Sequence, residues 1–365
     1  MKRWRLLNPG PLPAWQQMAM DSVVIRGRAQ NQIPDTFRFM EFQPHTALVG
    51  YHQAVDLEVN RTACIELGVE LNRRITGGGA IYMDSRQLGW ELCLGKDSLP
   101  HYDAHAVYET LARVVTTALQ DFGIHSGFRP VNDVEVGGRK ISGTGGVEWG
   151  DAFIYQGTLL VDFDVDAMIR ILRLPVAKLR DKEVTSFRQR TVTMAELLGQ
   201  TPSMERVKDT MIKAVESVLG VTLEDDGMTP WEIKEMERIA PSFREESWIN
   251  RRVSAVADGE GYLVQSADYK APGGLLRASV AIDAPAGRIR RCFLTGDFFA
   301  QPEHGPLDLE AALKDCPLNS QAVLDRVNKH ISKGYKYFGV DVADWHRVIA
   351  DAAGLTTKGV LYGNH

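Results

Sequence analysis

The sequence predicts an α/β or α+β protein with one main core, followed by a small α+β domain. Three observations lead there. Helix-like and strand-like stretches alternate over the first 130 residues. A capped helix start and a polar, proline-containing stretch interrupt the pattern between about 220 and 250. A fresh run of two strands and two helices follows. At about 150 residues per domain, 365 residues suggest two domains, and the expected division is 1–240 and 241–365.

Each element has a local reason. Ala14 to Arg28 reads as a helix with Met18 and Val24 on apolar spacing. Thr36 to Phe42 alternates, with Phe37 and Phe39 on one side, as a strand does. Asp103 can cap a long helix whose stripe is Val107, Leu111, Val114, Ala118, Leu119 and Phe122, and Gly123 stops it. Val134 and Val136, then Gly137-Gly138, then Lys140-Ile141 read as a hairpin. Thr158 to Phe163 reads as a further strand. Thr229-Pro230-Trp231-Glu232 is a capping box with proline at the first helical position. Pro241 to Trp248 has the look of a linker. Beyond it, Leu275–Ile282 and Arg288–Phe293 read as strands joined across 284–287, and Leu307–Leu313 and Ser320–Ile331 as helices.

Composition excludes several classes. Apolar residues make up 44% and charged residues 24%, as in ordinary globular proteins and unlike disordered chains. A net charge of -5 lacks the basic footprint of a general nucleic-acid binder. No apolar run approaches the ~18 residues that cross a bilayer. The basic start, Met1 to Pro11, has no apolar segment behind it, so no secretory signal is expected and the cytoplasm is the expected compartment. Cys64, Cys93, Cys292 and Cys316 are far apart and form no C-x-x-C pair, so they read as reduced core thiols. His101 and His105 have helical metal-ligand spacing, but Pro100 and a cap at Asp103 put His101 off the helix, so no metal pair is expected. Glu245-Glu246 and Asp225-Asp226 read as solvated charges.

Two stretches carry chemistry. In Arg73-Arg74-Ile75-Thr76-Gly77-Gly78-Gly79-Ala80-Ile81-Tyr82, three successive glycines are disfavoured inside a helix or strand. They suit backbone lying close against a ligand, where free N–H groups cradle phosphate oxygens and arginine adds charge. A flexible turn between strands is the competing reading. The run is neither a P-loop nor a dinucleotide-binding fingerprint. The second stretch, Asn132-Asp133 to Gly145-Gly146, sets Lys140 between a glycine turn and a glycine-rich tail. A lysine there can reach into a cleft as a fixed cation, or simply sit on the surface of a hairpin.

Together, Arg-Arg-x-Thr-Gly-Gly-Gly-Ala, then Asn-Asp, then Gly-Arg-Lys-Ile-Ser-Gly resemble the lipoate–protein ligase family. Trp4-Arg5-Leu6-Leu7 and Met18-Ala19-Met20-Asp21 resemble its opening strand and first helix. Phe37-Arg38-Phe39 and Gly157-Thr158-Leu159-Leu160 also fit, as do Lys178 and Val184-Thr185-Ser186. Gly273-Gly274-Leu275-Leu276-Arg277 and Gly296-Asp297-Phe298-Phe299 resemble the accessory C-terminal domain of bipartite ligases. The resemblance implies a biotin/lipoate ligase-like fold, a mixed sheet flanked by helices. It implies activation of lipoate with ATP and Mg²⁺ to lipoyl-AMP, then transfer to a lysine of a lipoyl carrier protein. That carrier would be a 2-oxoacid dehydrogenase lipoyl domain, an H-type protein or a specialised lipoate-binding protein, with no nucleic-acid or membrane partner. It implies that Lys140 touches the α-phosphate and the acyl carbonyl oxygen as an electrostatic clamp. Arg74, with Thr76, Gly77, Gly78, Gly79, Ala80, Ile81 and Tyr82, would hold the nucleotide. Asn132 and Asp133 would sit near the adenylate, with Asp133 on Mg²⁺.

The chain departs from the family at three places. Met83 and Gln156 stand where many relatives carry His, and Gly145 stands where alanine is common. The nearest competitor is an octanoyl or lipoyl transferase working through an acyl-cysteine. The loop 125–131 before the hairpin and the segment Arg173-Leu174-Pro175, the two places such a cysteine occupies, carry none. Cys93 lies mid-strand. A biotin ligase would carry a Gly-Arg-Gly-rich loop, which is missing. A non-catalytic carrier-binding protein would have no need of the phosphate clamp.

Overall fold

The computed structural model describes residues 2–98, 104–130, 132–173, 187–253 and 261–355. His101, the side chain of His105, the expected cap Asp103, the pair Leu174-Pro175, Lys178 and the stretch 184–186 lie outside the described residues. The chain divides into two compact units. The first is Met1–Leu48, Val59–Ile75 and Ile81–Ile249, and the second is Val49–Glu58, Thr76–Ala80 and Asn250–His365. The second unit takes in most of the segment 241–365 and adds two short segments from the N-terminal half, one of them the triple-glycine loop.

The first unit is built on a mixed nine-stranded sheet. In chain order its strands are β1 (Lys2–Leu7), β2 (Pro11–Leu12), β3 (Thr36–Phe42), and, after a separate three-stranded sheet of β4 (Thr46–Val49), β5 (Glu70–Arg73) and β6 (Ile81–Met83), then β7 (Leu88–Gly95), β8 (Gly127–Arg129), β9 (Asp133–Val136), β10 (Arg139–Trp149), β11 (Ala152–Leu159) and β12 (Val221–Asp225). The spatial order is β12-β1-β3-β7-β11-β10-β9-β8, with β2 on β3. β12, β1 and β3 are parallel, and from β3 through β8 every pairing is antiparallel. This is the mixed sheet the sequence led one to expect.

Helices cover both faces. Ala104–Gln120 packs on Met204–Leu219 over one face, burying Val107, Leu111, Val114, Ala118 and Leu119 with Phe37, Phe39 and Trp90. Gly123, at φ +75, follows that helix, as expected of a glycine stop. Ala14–Ala29 lies over the other face, burying its own Met18 and Val24 and, from the sheet, Met40. With both faces covered, all eight residues of β7 are buried.

The capping box is present as read. Thr229 Oγ1 accepts from the Glu232 N–H, and the Glu232 carboxylate accepts from the Thr229 N–H. Two local readings need correction. The strand expected over Thr158–Phe163 ends at Leu159, because Asp164 caps a new helix, Val165–Ile171, and the chain must turn before it. The stretch Pro241–Trp248 is not a bare linker. It forms a 3₁₀ turn, Ala240–Arg244, and a short helix, Glu246–Ile249, anchored by buried Phe243 and Ile249. Asn72 donates to the Phe243 carbonyl and Arg73 to that of Ile249, so these residues complete the first unit.

In the second unit β13 (Leu263–Ala271), β14 (Gly274–Asp283) and β15 (Arg288–Gly296) form an antiparallel meander. After a short strand β16 (Ala300–Gln301), β17 (Cys316–Pro317) extends it, and β18 (Lys336–Tyr337) pairs with β16. Helices Gly305–Leu313, Ser320–Ile331 and Val342–Ala352 close a core around Leu276, Val280, Leu294, Phe298 and Trp345.

Candidate active site

The lysine hairpin forms as its glycines dictate. Gly137 and Gly138 have φ of +56 and +78, the two left-handed positions of a tight two-residue turn between β9 and β10. The register shifts between Lys140 and Ser142, and such an irregularity re-aims a side chain. The ammonium of Lys140 lies over Gly143, where a methyl group would run into Nζ and Cε. It pairs with Asp133 Oδ1 at 2.7 Å, and its side chain is 38% exposed, so the cation is fixed yet reachable. Lys140 and Asp133 are thus brought together. Asn132 is engaged in the hairpin itself. Its Nδ2 donates to the Thr144 carbonyl at 2.6 Å, and its carbonyl accepts from the Thr144 N–H and hydroxyl.

Strand register places a polar row across the face that carries Lys140. Gly145 on β10 faces Gln156 on β11, Gln156 faces Glu91 on β7, and Glu91 faces Arg38 on β3. Directly opposed residues share a face. Arg38 meets Glu91 at 3.2 Å, Gln17 Oε1 at 3.0 Å and the Asp21 carboxylate, so the row lies under the helix Ala14–Ala29. Arg38, Glu91 and Asp21 are fully buried. Burial opposes the charge on Arg38, but Glu91 and Asp21 outweigh it and raise its pKa. Burial, reinforced by Glu91, pushes the Asp21 carboxyl well above the usual carboxylate range. Two atoms here find no hydrogen-bond partner among the described residues: Gln156 Nε2 and Asp21 Oδ2.

Arg74 is buried, and its Nη1 donates to the Leu48 carbonyl at 3.3 Å. Burial lowers its pKa to about 10, opposed by Asp21, so it stays cationic at neutral pH. Ile81 and Tyr82 are strand residues of β6, facing Leu48 and Ala47 of β4. The Tyr82 hydroxyl bonds His45 Nδ1 at 3.1 Å, and burial pushes its pKa up to about 12.

The triple-glycine loop belongs to the second unit. Gly77 runs so close to the Phe298 carbonyl and the Phe299 ring that no side chain fits. Gly78, at φ +88, donates its N–H to the Phe298 carbonyl at 3.3 Å, and Gly79 lies against Asp297. The Thr76 carbonyl accepts from the Tyr51 N–H. Its hydroxyl is buried without a hydrogen-bond partner among the described residues. The close backbone approach seen at these glycines is to the turn that follows β15.

All four cysteines are buried. Burial raises the thiol pKa of Cys64, Cys93, Cys292 and Cys316 alike, as expected of core thiols. Among the described residues no group of three or more His, Cys, Asp or Glu could hold a metal. Mg²⁺ is commonly held by one or two carboxylates plus substrate phosphates, and Asp133 fits that mode. Asp21, Arg38 and Glu91 were not singled out as site residues from the sequence, and Gln156 only as a departure from the family's histidine. The available signal was a charge at every second position inside apolar strands, as in Phe37-Arg38-Phe39 and Trp90-Glu91-Leu92.

Residues 13–216 match the family model of the lipoyl protein ligase A/B catalytic domain, and the chain belongs to that family. It is therefore an enzyme of the lipoate ligase and octanoyltransferase family. Octanoyltransferase LipM of Symbiobacterium thermophilum is 26% identical over 258 residues, 65% of this chain and 93% of that protein. Lipoate–protein ligase 1 of Staphylococcus aureus is 26% identical over 334 residues, 91% of this chain and 94% of that protein. Among solved structures, a bipartite lipoate protein ligase of Thermoplasma acidophilum, studied with its E2 lipoyl domain, has the same fold. Its TM-score is 0.61 at 24% identity, covering 68% of this chain and 96% of that one. No described helix is long and apolar enough to cross a membrane.

Proposed function

We propose that this chain is an ATP-dependent lipoate–protein ligase that forms lipoyl-AMP and passes the lipoyl group to a lysine of a lipoyl carrier protein. The observation that carries the reading is the burial of every cysteine. An acyl-cysteine transferase needs an accessible thiolate, favoured by nearby positive charge. Here all four thiols are pushed away from ionisation. The likeness to the Staphylococcus aureus ligase along 91% of the chain, against 65% for the LipM relative, adds support.

Lys140 answers the chemical need. A carboxylate is a poor acyl donor, and adenylation gives it a good leaving group. Negative charge grows on the α-phosphate in the first step and on the acyl carbonyl oxygen in the second. A cation fixed by Asp133 over an unobstructed glycine stabilises both without reorganising. Arg74, charged and buried, supplies a second fixed cation for the phosphates. Asp133, with Asn132 shaping its loop, would hold Mg²⁺, which neutralises phosphate charge when bound. The carrier partner would be a lipoyl domain or H-type protein presenting the acceptor lysine, and the cytoplasm is the proposed compartment.

Two experiments test this. Pyrophosphate release from ATP and Mg²⁺ is expected to depend on added lipoate and to need no carrier. Release unaffected by lipoate defeats the reading. A variant with all four cysteines changed to alanine or serine is expected to keep adenylation and carrier lipoylation within a few-fold of wild type. Loss of acyl transfer in a folded variant favours the transferase alternative, which the LipM relative keeps in view.

A further inference from the structure

We infer, building on the acyl-adenylate reading of this site, that Thr144 is a positioning residue whose hydroxyl locks the Asn132 turn against β10. The lock holds Asp133 where it fixes the Lys140 ammonium. The two arms of the hairpin are held unequally. β10 runs along β11 from Ser142 onward, and the Lys140 carbonyl accepts from the Val192 N–H at 2.9 Å. β9 has on its outer side the three-residue strand β8, at the end of the sheet. Asp133 stands at the end of β9, opposite Gly143 on β10 and Arg129 on β8. Gly143 has no side chain with which to hold it.

The next pair along supplies the hold. The Thr144 N–H and Oγ1 both donate to the Asn132 carbonyl at 2.9 Å, and Asn132 Nδ2 donates to the Thr144 carbonyl at 2.6 Å. Of these bonds, the one from the hydroxyl needs this residue type. In Gly143-Thr144-Gly145-Gly146 the threonine carries the one side chain, and its glycine neighbours leave the backbone free. Threonine is β-branched and stiff at χ1. Its methyl faces Gly157 on β11, where an added Cβ would lie 3.0 Å from it. With the methyl on the β11 side, the hydroxyl is turned to β9 and Asn132. Thr144 is buried, so water competes poorly for that bond. The Asn132 carbonyl belongs to the peptide that leads into Asp133. Fixing that peptide fixes the carboxylate that pairs with Lys140 at 2.7 Å. A cation already in place is what charge stabilisation without reorganisation requires.

The test compares Thr144→Val, which keeps the shape and the methyl, with Thr144→Ser, which keeps the hydroxyl. Lipoate-dependent pyrophosphate release is measured beside amide hydrogen exchange of the full chain, with urea midpoints to establish that each variant is folded. Thr144→Val is expected to lower kcat about tenfold and to leave KM for lipoate within about twofold, because a displaced cation costs the transition state rather than substrate binding. Its amide exchange over residues 132–143 is expected to rise about fivefold, the worth of one hydrogen bond, and to stay unchanged in β7. Thr144→Ser is expected to stay close to wild type in both readouts. Wild-type kcat in Thr144→Val, or unchanged exchange over 132–143, overturns the proposal. So do equal losses in the two variants, or exchange raised through the whole sheet, since both mark lost packing. Absence of pyrophosphate release in wild type defeats the ligase reading instead. The exchange data then decide alone: a rise in Thr144→Val that Thr144→Ser does not share keeps Thr144 as the residue that positions the hairpin, and no rise removes it.

Discussion

Replacing Lys140 by methionine is expected to abolish lipoate-dependent pyrophosphate release while the fold survives. Methionine keeps the length and apolar stem of lysine, so the space over Gly143 stays filled. Asp133 loses its partner, but it is not fully buried and water can take the place of the ammonium. What is lost is the fixed positive charge facing the phosphate and the acyl carbonyl oxygen. Removing a single preorganised donor of this kind costs about 10²–10³ in rate. Lys140 serves two charge-building steps in the proposed cycle, so carrier lipoylation from preformed lipoyl-AMP is expected to fall as well. Initial rates of both half-reactions, with circular dichroism to confirm folding, check this. A variant that forms lipoyl-AMP at the wild-type rate removes Lys140 from the mechanism.

The lysine hairpin could be read from the sequence because its signals are local. Two glycines between alternating apolar residues define a tight turn, and the turn fixes where Lys140 stands. The helix at Thr229 was legible for the same reason, since its capping box lies within four residues. The buried polar row was not. Arg38 and Glu91 are 53 positions apart, and only the pairing of β3 with β7 shows that they meet. Nor does local sequence reveal that β11 sets Gln156 beside Glu91. The triple glycine illustrates a different limit. Its composition announced close backbone approach, but the partner it approaches here is the Phe298–Phe299 turn, more than two hundred residues away. The Pro241–Trp248 stretch misled because its polar residues outnumber its apolar ones, while the burial of Phe243 and of the next residue, Ile249, anchors it.

Glu232→Ala is expected to destabilise the first unit strongly. Glu232 performs two tasks with one carboxylate. Its oxygens accept from Arg5 Nη1 at 2.6 Å and Nη2 at 2.7 Å, a two-pronged pair whose side chains are 2% and 0% exposed. One of those oxygens also accepts from the Thr229 N–H and so closes the capping box. Truncation leaves the Arg5 guanidinium buried, with Thr36 Oγ1 and the Gly227 carbonyl as its remaining partners among the described residues. Breaking a buried pair this way costs about 3–5 kcal/mol, which measures the stranded charge rather than the worth of the pair. The lost cap contributes about 1 kcal/mol of its own. Against a stability of about 5–15 kcal/mol this is a large fraction. Glu232→Gln separates the two effects. An amide keeps the shape and an acceptor for the Thr229 N–H but not the charge, so it is expected to fall between wild type and alanine. Arg5→Met removes the other partner and strands Glu232 instead. The double variant Arg5→Met with Glu232→Ala leaves no uncompensated charge and is expected to recover part of the loss. Urea unfolding midpoints of wild type and the four variants decide it. If the double variant is as unstable as the sum of the singles, the cost lies in packing and not in a buried unpaired charge.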